Sequence, residues 1–368
     1  MVLSDVSDAI VILVCMYMQP FGRLSSSPLV LAAVVVAICV LVYEAPLFEG
    51  YRTDVLGSTN QPRRPTIFVS VASYRDSECS KTIQELFGKA KYPERVFVGV
   101  CEQNSDDPSE RCSGKHDTKY DKQIRTIRVP HTEAKGPCVA RYACSTLFGQ
   151  EDFFCQIDSH MIMVPDWDEK AVAEINACPD PTRSIISMYP NDYGTYTVES
   201  KEVPVMCKAK FGTSHGLPIF EAAMKQPSWL GNAPRPNAFI AAGFLFASGD
   251  FPRLVPYDPH LKQLFQGEEI LLSARAWTSG FDIFSSRVNI TLHHYLREDK
   301  PKFWNDKGSE YEAEKAASER RARQLLGLEQ PPLTSDKYGM GHVRTLDAYW
   351  KFAGVDPINK TATKSFCT

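Results

Sequence analysis

Asp158 and His160 stand two positions apart at the end of an apolar run, Phe153-Phe154-Cys155-Gln156-Ile157. In extended backbone, positions i and i+2 point to the same side, so a carboxylate oxygen and an imidazole nitrogen can share one divalent cation. Mixed oxygen and nitrogen donors suit manganese among other ions. A further imidazole is available in "TLHHYLR": if this is a strand, His293 and His294 alternate, and only one faces the site. "FQGEEILLSARAW" puts Glu268 and Glu269 at the start of a predicted helix, preceded by Gly267. Acids there either satisfy unpaired amides or meet a substrate that glycine lets approach. "SYRD", Ser73 to Asp76, offers a ring to stack, a cation and a carboxylate. Arg141, one turn into "GPCVARY", could bind a phosphate or pair with an acid. The plainer alternative for Asp158 and His160 is a strand-end carboxylate capping a turn beside a satisfied histidine.

Such groups must be positioned by regular elements. "TIFVSVAS" (66–73) is short, apolar and β-branched, and predicts a central strand. Ser77 can cap a helix in which Ile83, Leu86, Phe87 and Ala90 fall at helical spacing. "RVFVGVCEQ" (95–103) and "IRTIRV" (124–129) predict two more strands, and Gly136-Pro137 opens a helix through Phe148. The strand ending at Asp158 follows, then a helix for which Asp166 and Glu169 supply a capping box. Strand, helix, strand, strand, helix, strand is the pattern of an open α/β sheet, and ligands of such sheets bind beyond the carboxyl ends of the strands. Ser73–Asp76, Gln103 and Asp158–His160 all fall at such ends. From about Pro190 the loops lengthen, and "PSWLGNAPRPNA" is rich in proline and glycine. Order returns in "FIAAGFLFAS" and "GEEILLSARAWTSG".

With 368 residues, 43% of them hydrophobic, the chain can bury one large domain or two ordinary ones. A net charge of −3 supplies no basic excess for phosphate neutralisation, which argues against nucleic acid as the main partner. Residues 24–43 carry no charge and are long enough to cross a bilayer as a helix. A cleaved signal peptide would have an earlier apolar region and a basic start, whereas the first apolar patch here, Ala9–Met18, follows Asp5 and Asp8. The expected plan is an N-terminal segment (1–23), a transmembrane anchor (24–43), a stem (44–65), one α/β domain (66–356) and a tail (357–368). Arg23 precedes the span while Arg52, Arg63 and Arg64 follow it, so charge alone favours a cytoplasmic domain. Asn289-Ile-Thr291 and Asn359-Lys-Thr361 fit the N-glycosylation pattern and favour the lumen. Eleven cysteines suit an oxidising compartment; their odd number leaves a thiol unpaired, and no C-x-x-C pair suggests structural zinc.

Taken in order, "IFVSVASYRD", "KGPCVARY", "QIDSHMIMVPDWD", "AAGFLFA", "VPYDPHLKQLFQGEEILLSARAWTSGFDIF", "HHYLR" and "DKYGMGHVRTLDAYWKFAGVD" resemble the polypeptide N-acetylglucosaminyltransferases with a GT-A fold. That group includes Golgi enzymes that start O-glycans and a cytoplasmic enzyme that modifies hydroxyproline. The likeness runs from about Thr66 to Asp356. It implies a GT-A, Rossmann-like open sheet in which Asp158, Ser159 and His160 take the place of the metal-binding D-x-D/D-x-H signature. Mn2+ or Mg2+ would there bridge the diphosphate of the donor, UDP-GlcNAc. The related third ligand is a histidine three positions before an arginine, which selects His294 with Arg297. Ser73, Tyr74, Arg75 and Asp76 would hold the uridine end, Arg141 the sugar or phosphate side, and Asp158 and Arg297 count with the donor-binding set. Glu268 and Glu269 would face sugar and acceptor, as nucleophile candidates beside a front-face reaction that needs none. The anchor favours a single-pass type II Golgi protein with a luminal domain that transfers to threonine or serine of secretory-pathway polypeptides. The rivals are a hydroxyproline-modifying cytoplasmic activity and a catalytically inactive binding module on the same scaffold.

Overall fold

The structure, a computed structural model, describes residues 63–112, 118–212, 215–298, 300–334 and 336–368. The expected N-terminal segment, anchor at 24–43 and most of the stem lie outside the described residues. Among those described, no helix is long and apolar enough to cross a membrane.

The first elements arrive in the expected order: β1 (Ile67–Tyr74), α1 (Cys79–Gly88), β2 (Val96–Asn104), β3 (Ile124–Pro130), α2 (Pro137–Ser145) and β4 (Phe153–Asp158). β1 pairs in parallel with both β2 and β4, and β2 in parallel with β3. Both faces of these strands are covered, which is why β1 reads as a nearly unbroken apolar run. Ile67, Val69 and Val71 pack with Ile83 and Leu86 of α1, while Phe68 turns to the opposite face with Phe154. Each such fully buried side chain contributes about 1.5–3 kcal/mol.

After β4 come β5 (Met161–Met163), α3 (Trp167–Asn176), β6 (Ser184–Ser187), β7 (Asn191–Asp192), β8 (Val203–Lys210), β9 (Ile219–Lys225), β10 (Arg235–Asn237), β11 (Phe244–Ser248), α4 (Glu268–Thr278), β12 (Asp282–Ser285), β13 (Thr291–His293), α5 (Tyr311–Leu325) and α6 (Leu346–Ala353). The main sheet has eight strands in the order β10-β12-β6-β11-β4-β1-β2-β3. It is mixed, because β11 runs antiparallel to β4 and β6. A second sheet, β5-β13-β7, lies just beyond the end of β4 and carries the histidine pair towards it.

Local chemistry departs from expectation at three helix starts. Ser77 is exposed and does not cap α1; instead Asp76 accepts the Glu78 amide at 3.0 Å. Asp166 adopts a left-handed φ of 57° with no side-chain cap, and the Glu169 carboxylate turns to Arg95 at 2.8 Å. The capping box loses because Arg95, buried beside Asp168, needs anionic partners. Gly267 precedes α4 with φ +99°, and a Cβ there would stand 2.4 Å from Leu217 Cδ1. Backbone conformation and packing against Leu217 therefore require that glycine, where the sequence suggested substrate approach.

Two disulfides are present among the described cysteines, Cys79–Cys112 and Cys207–Cys367, while Cys101, Cys138, Cys144, Cys155 and Cys178 are free and buried. Cys367 and Phe366, which packs against Phe239 and Phe352, bind residues 357–368 into the domain. The tail expected beyond Asp356 is therefore part of it. Of the two glycosylation triplets, Asn359 is exposed. Asn289 is buried, and its amide donates to the carbonyls of Ser200 and Glu202, contacts that leave no room for a glycan in the folded domain.

Candidate active site

β4 delivers Asp158 to the end of the sheet, level with Ala72 of β1, so the two strands present Asp158 and Ser73–Asp76 side by side. The chain then bends through Ser159 and His160 into β5. Thr82 of α1 fixes that bend: its hydroxyl donates to the Ser159 carbonyl at 2.8 Å and accepts the Met161 amide at 2.8 Å. β13 pairs with β5, and His293, its last residue, stands opposite Met161. Asp158, His160 and His293 thus converge, with one potential ligand atom from each within 4.8 Å of the others.

The surroundings tune each member. Burial pushes the Asp158 carboxyl up, but the His293 hydrogen bond and the Arg141 charge outweigh it and hold the group well below its ordinary range. Arg141 meets Asp158 Oδ1 at 2.8 Å, and His293 Nε2 lies 3.2 Å from Oδ2. Burial lowers the His293 pKa despite Asp158, which keeps the ring neutral, and its buried Nδ1 has no hydrogen-bond partner. His160 points Nδ1 at Asp76 Oδ2, 2.8 Å away. With its proton on Nδ1 the ring would give Asp76 that hydrogen bond and offer Nε2 to a cation, the carboxylate support typical of metal-bound histidine. One ionised carboxylate, one neutral imidazole and one oriented imidazole, with an orphaned nitrogen among them, fit a divalent cation of the manganese type.

His294 does not join this group. Its Nδ1 bonds Glu78 at 2.7 Å, and its ring packs on Tyr193. The third candidate ligand is therefore His293. The strand rule allowed either residue; the H-x-x-R spacing selected His294, and the pairing of β13 with β5 decides for its neighbour.

Asp76 also differs from expectation. It is 1% exposed, accepts Ser159 Oγ at 2.5 Å, faces His160 Nδ1 at 2.8 Å and forms an ion pair, without hydrogen-bond geometry, with Arg297 Nη2 at 2.9 Å. Asp76, expected to hold uridine, thus faces His160, and Arg297, expected among the donor-binding residues, faces Asp76. Ser73 is fully buried and its hydroxyl has no partner. Tyr74 and Arg75 do face a common point, which Asp306 occupies. The Tyr74 hydroxyl donates to it, Arg75 pairs with it at 2.9 Å, and His131 approaches at 3.0 Å. Arg75 has a φ of 45° and a second carboxylate, Glu110, at 3.0 Å. Asp306, His131 and Glu110 carried no sequence signal, since Asp306 reaches the cluster from a bend and the other two from single turns of 3-10 helix.

Arg141 is buried between two carboxylates, Asp158 and Glu268, whose charges raise its pKa against the burial. Glu268 is thus committed to an ion pair. Glu269 is not: it accepts the Tyr189 hydroxyl at 2.6 Å and the Ala242 amide at 2.9 Å. Burial pushes its pKa up to about 7, so it exchanges a proton near neutrality. The Ala242 peptide links both acids, since its carbonyl receives Arg141 at 3.4 Å and Gln156 at 2.7 Å.

A family model described as Glycosyltransferase (GlcNAc) matches residues 66–117 and 107–359, and the chain belongs to that family. The family match covers the stretch that forms the mixed α/β sheet and its flanking helices. No curated protein matches by sequence. Among solved structures it is similar to GalNAc-T7 with UDP, GalNAc and Mn2+, at 12% identity and TM-score 0.49, over 80% of this chain and 55% of that one. It is also similar to Staphylococcus aureus TarS 1-349 with UDP-GlcNAc, at 11% identity and TM-score 0.47, over 78% and 70%. The mannosyltransferase PcManGT from Pyrobaculum calidifontis, with GDP-Man and Mn2+, gives 13% and 0.42 over 80% and 73%. The chain spans a little over half the length of GalNAc-T7.

Proposed function

We propose that this glycosyltransferase moves N-acetylglucosamine from UDP-GlcNAc to threonine or serine hydroxyls of polypeptides, with retention of configuration. The observation that carries the reading is the convergence of Asp158, His160 and His293 beyond the carboxyl ends of the parallel strands. These residues would hold a manganese or magnesium ion, which when bound neutralises the donor's diphosphate. Arg141, buried and always charged, orients Asp158 and adds positive charge beside that position. Tyr74 and Arg75 would bind the nucleotide end once Asp306 is displaced from them. Glu268 is held by Arg141 and serves to fix that cation, whereas Glu269 can hold or release a proton near the acceptor. N-acetylglucosamine and a polypeptide acceptor rest on the family match and the motif resemblance.

A luminal, type II Golgi location is part of the proposal. It is supported by the apolar run at 24–43, the two disulfides and the exposed Asn359 triplet. The test is transfer from UDP-GlcNAc to a threonine-rich peptide by the detergent-solubilised full chain, with and without manganese, beside His160→Ala. Manganese-dependent transfer, lost in the variant, is expected; full transfer without any divalent ion would refute the reading.

A further inference from the structure

A cavity of about 340 Å³ opens next to the reaction centre, at the low end of ligand-pocket sizes. Its walls include Tyr189, Pro190, Tyr196, Pro204, Met224 and Tyr295. Two of these residues tie it to the site. Tyr189 donates its hydroxyl to Glu269, and the Tyr295 ring lies 4.1 Å from the His293 ring. Pro204 and Met224 are cross-strand partners on the β8–β9 hairpin and form the opposite wall.

Two exposures are unusual for apolar groups. Met224 is 36% and Tyr295 48% exposed, and both border this one cavity. Together they give the cavity an apolar wall that solvent reaches. Several polar atoms nearby are engaged inside the protein, although Asn191 Oδ1, itself buried, has no partner. Tyr295 gives its hydroxyl to the Pro190 carbonyl at 2.9 Å, and Asn191 gives its amide to the Glu202 carbonyl and to Asn289 at 2.9 Å. Asp192, at the rim, accepts the Thr195 hydroxyl at 2.9 Å. A sugar ring needs a donor or acceptor for each of its hydroxyls, and this wall offers few beyond Asn191 Oδ1 and Asp192. A carbon-rich wall of tyrosine faces, prolines and an adaptable methionine fits an apolar side chain instead.

We infer that this cavity is an acceptor subsite, which takes an apolar side chain close in sequence to the hydroxyl that receives the sugar. The inference rests on the polypeptide-acceptor reading and adds a sequence preference to it. Substrate choice would thus reside in the hairpin β8–β9 and the Tyr189–Asp192 segment, apart from the groups that hold the donor.

The experiment uses labelled peptides in which one threonine is flanked by leucine, or by serine, at each position up to three residues away. Anisotropy measures binding to the full-length protein, its Met224→Glu variant and its Met224→Leu variant. Transfer and acceptor-free UDP release are followed in parallel. One leucine position should bind about tenfold tighter than serine. Met224→Glu should erase that preference, Met224→Leu should keep it, and UDP release should not change in either. An absent preference, or one that survives Met224→Glu, overturns the subsite. So does a glycan-bearing peptide that binds tighter than the leucine peptide and loses its advantage in Met224→Glu, which would mark a sugar subsite. If no peptide is glycosylated while the leucine preference persists and falls in Met224→Glu, the polypeptide-transfer reading fails and the binding site stands.

Discussion

At the ends of β1 and β4, Asp76, Asp158, His160, Arg141 and Arg297 hold one another in contacts of 2.8–2.9 Å. On the other side of the Ala242 peptide, Glu269 faces only a tyrosine hydroxyl and a backbone amide, and a cavity of tyrosines and prolines follows. The first region is charged, paired and largely buried, so its geometry exists before any ligand arrives. The second is nearly neutral, partly exposed and responsive to pH. The difference separates tasks: charge fixed in advance suits a cation and a diphosphate, while a neutral wall with one titrating acid suits an acceptor that must lose a proton.

The contrast can be broken most severely at Asp158. Asp158→Ala should lower transfer by a factor of about 1,000 or more, because it removes a cation ligand and an ionised neighbour together. Initial rates at saturating manganese decide it, and retention of a tenth of the activity would separate Asp158 from the chemistry. Arg141→Met should lower transfer, since Asp158 loses its orienting charge, and should also cost stability. Removing a buried cation from between two carboxylates is expected to cost about 3–5 kcal/mol in denaturant unfolding. Asp76→Asn should leave the rate at saturating manganese near that of the parent but raise the manganese needed for half activity by about 10–100-fold. An unchanged requirement would show that Asp76 does not orient His160.

The smallest effect belongs to the neutral wall. Glu269→Gln should cost about tenfold in rate and remove a step near pH 7 from the rate profile. Stability carries a sign of its own. Burial raises the folded pKa of Glu269 from 4.5 to about 7, so the stabilisation its neutral form contributes is complete below 4.5 and is lost as pH rises to about 7. Thermal melts of Glu269→Gln across that window should fall less steeply with pH than those of the parent. Parallel curves would mean that Glu269 titrates normally.

What sequence could show follows the same division. β1, β2, α2 and β4 were legible because apolar runs, Gly136-Pro137 and strand-end polar groups are local signals, and the elements form there, with α2 ending at Ser145 where Phe148 was expected. Asp158 and His160 come together for the same reason: i, i+2 spacing is a local fact. His293 needed the pairing of β13 with β5, and Asp306 reaches Tyr74 from 232 residues away, so neither contact had a local sign. Asp76 looked like a ligand for the donor because its type and position fit one. Only the arrival of His160 from the bend after β4 and of Arg297 from the loop after β13 turns it inward. The neutral wall was the least legible, since Tyr189, Pro204 and Met224 lie in or next to the loop-rich stretch after Pro190 and meet only through the β8–β9 hairpin.

The central claim is that Asp158, His160 and His293 hold the cation, and manganese binding read by electron paramagnetic resonance tests it without any acceptor or turnover. His293→Ala should weaken binding by at least about 100-fold, since even second-layer partners contribute 10–100-fold. His294→Ala, which loses only the Glu78 and Tyr193 contacts, should bind within about threefold of the parent. Strong loss in His294→Ala with binding intact in His293→Ala would contradict the account.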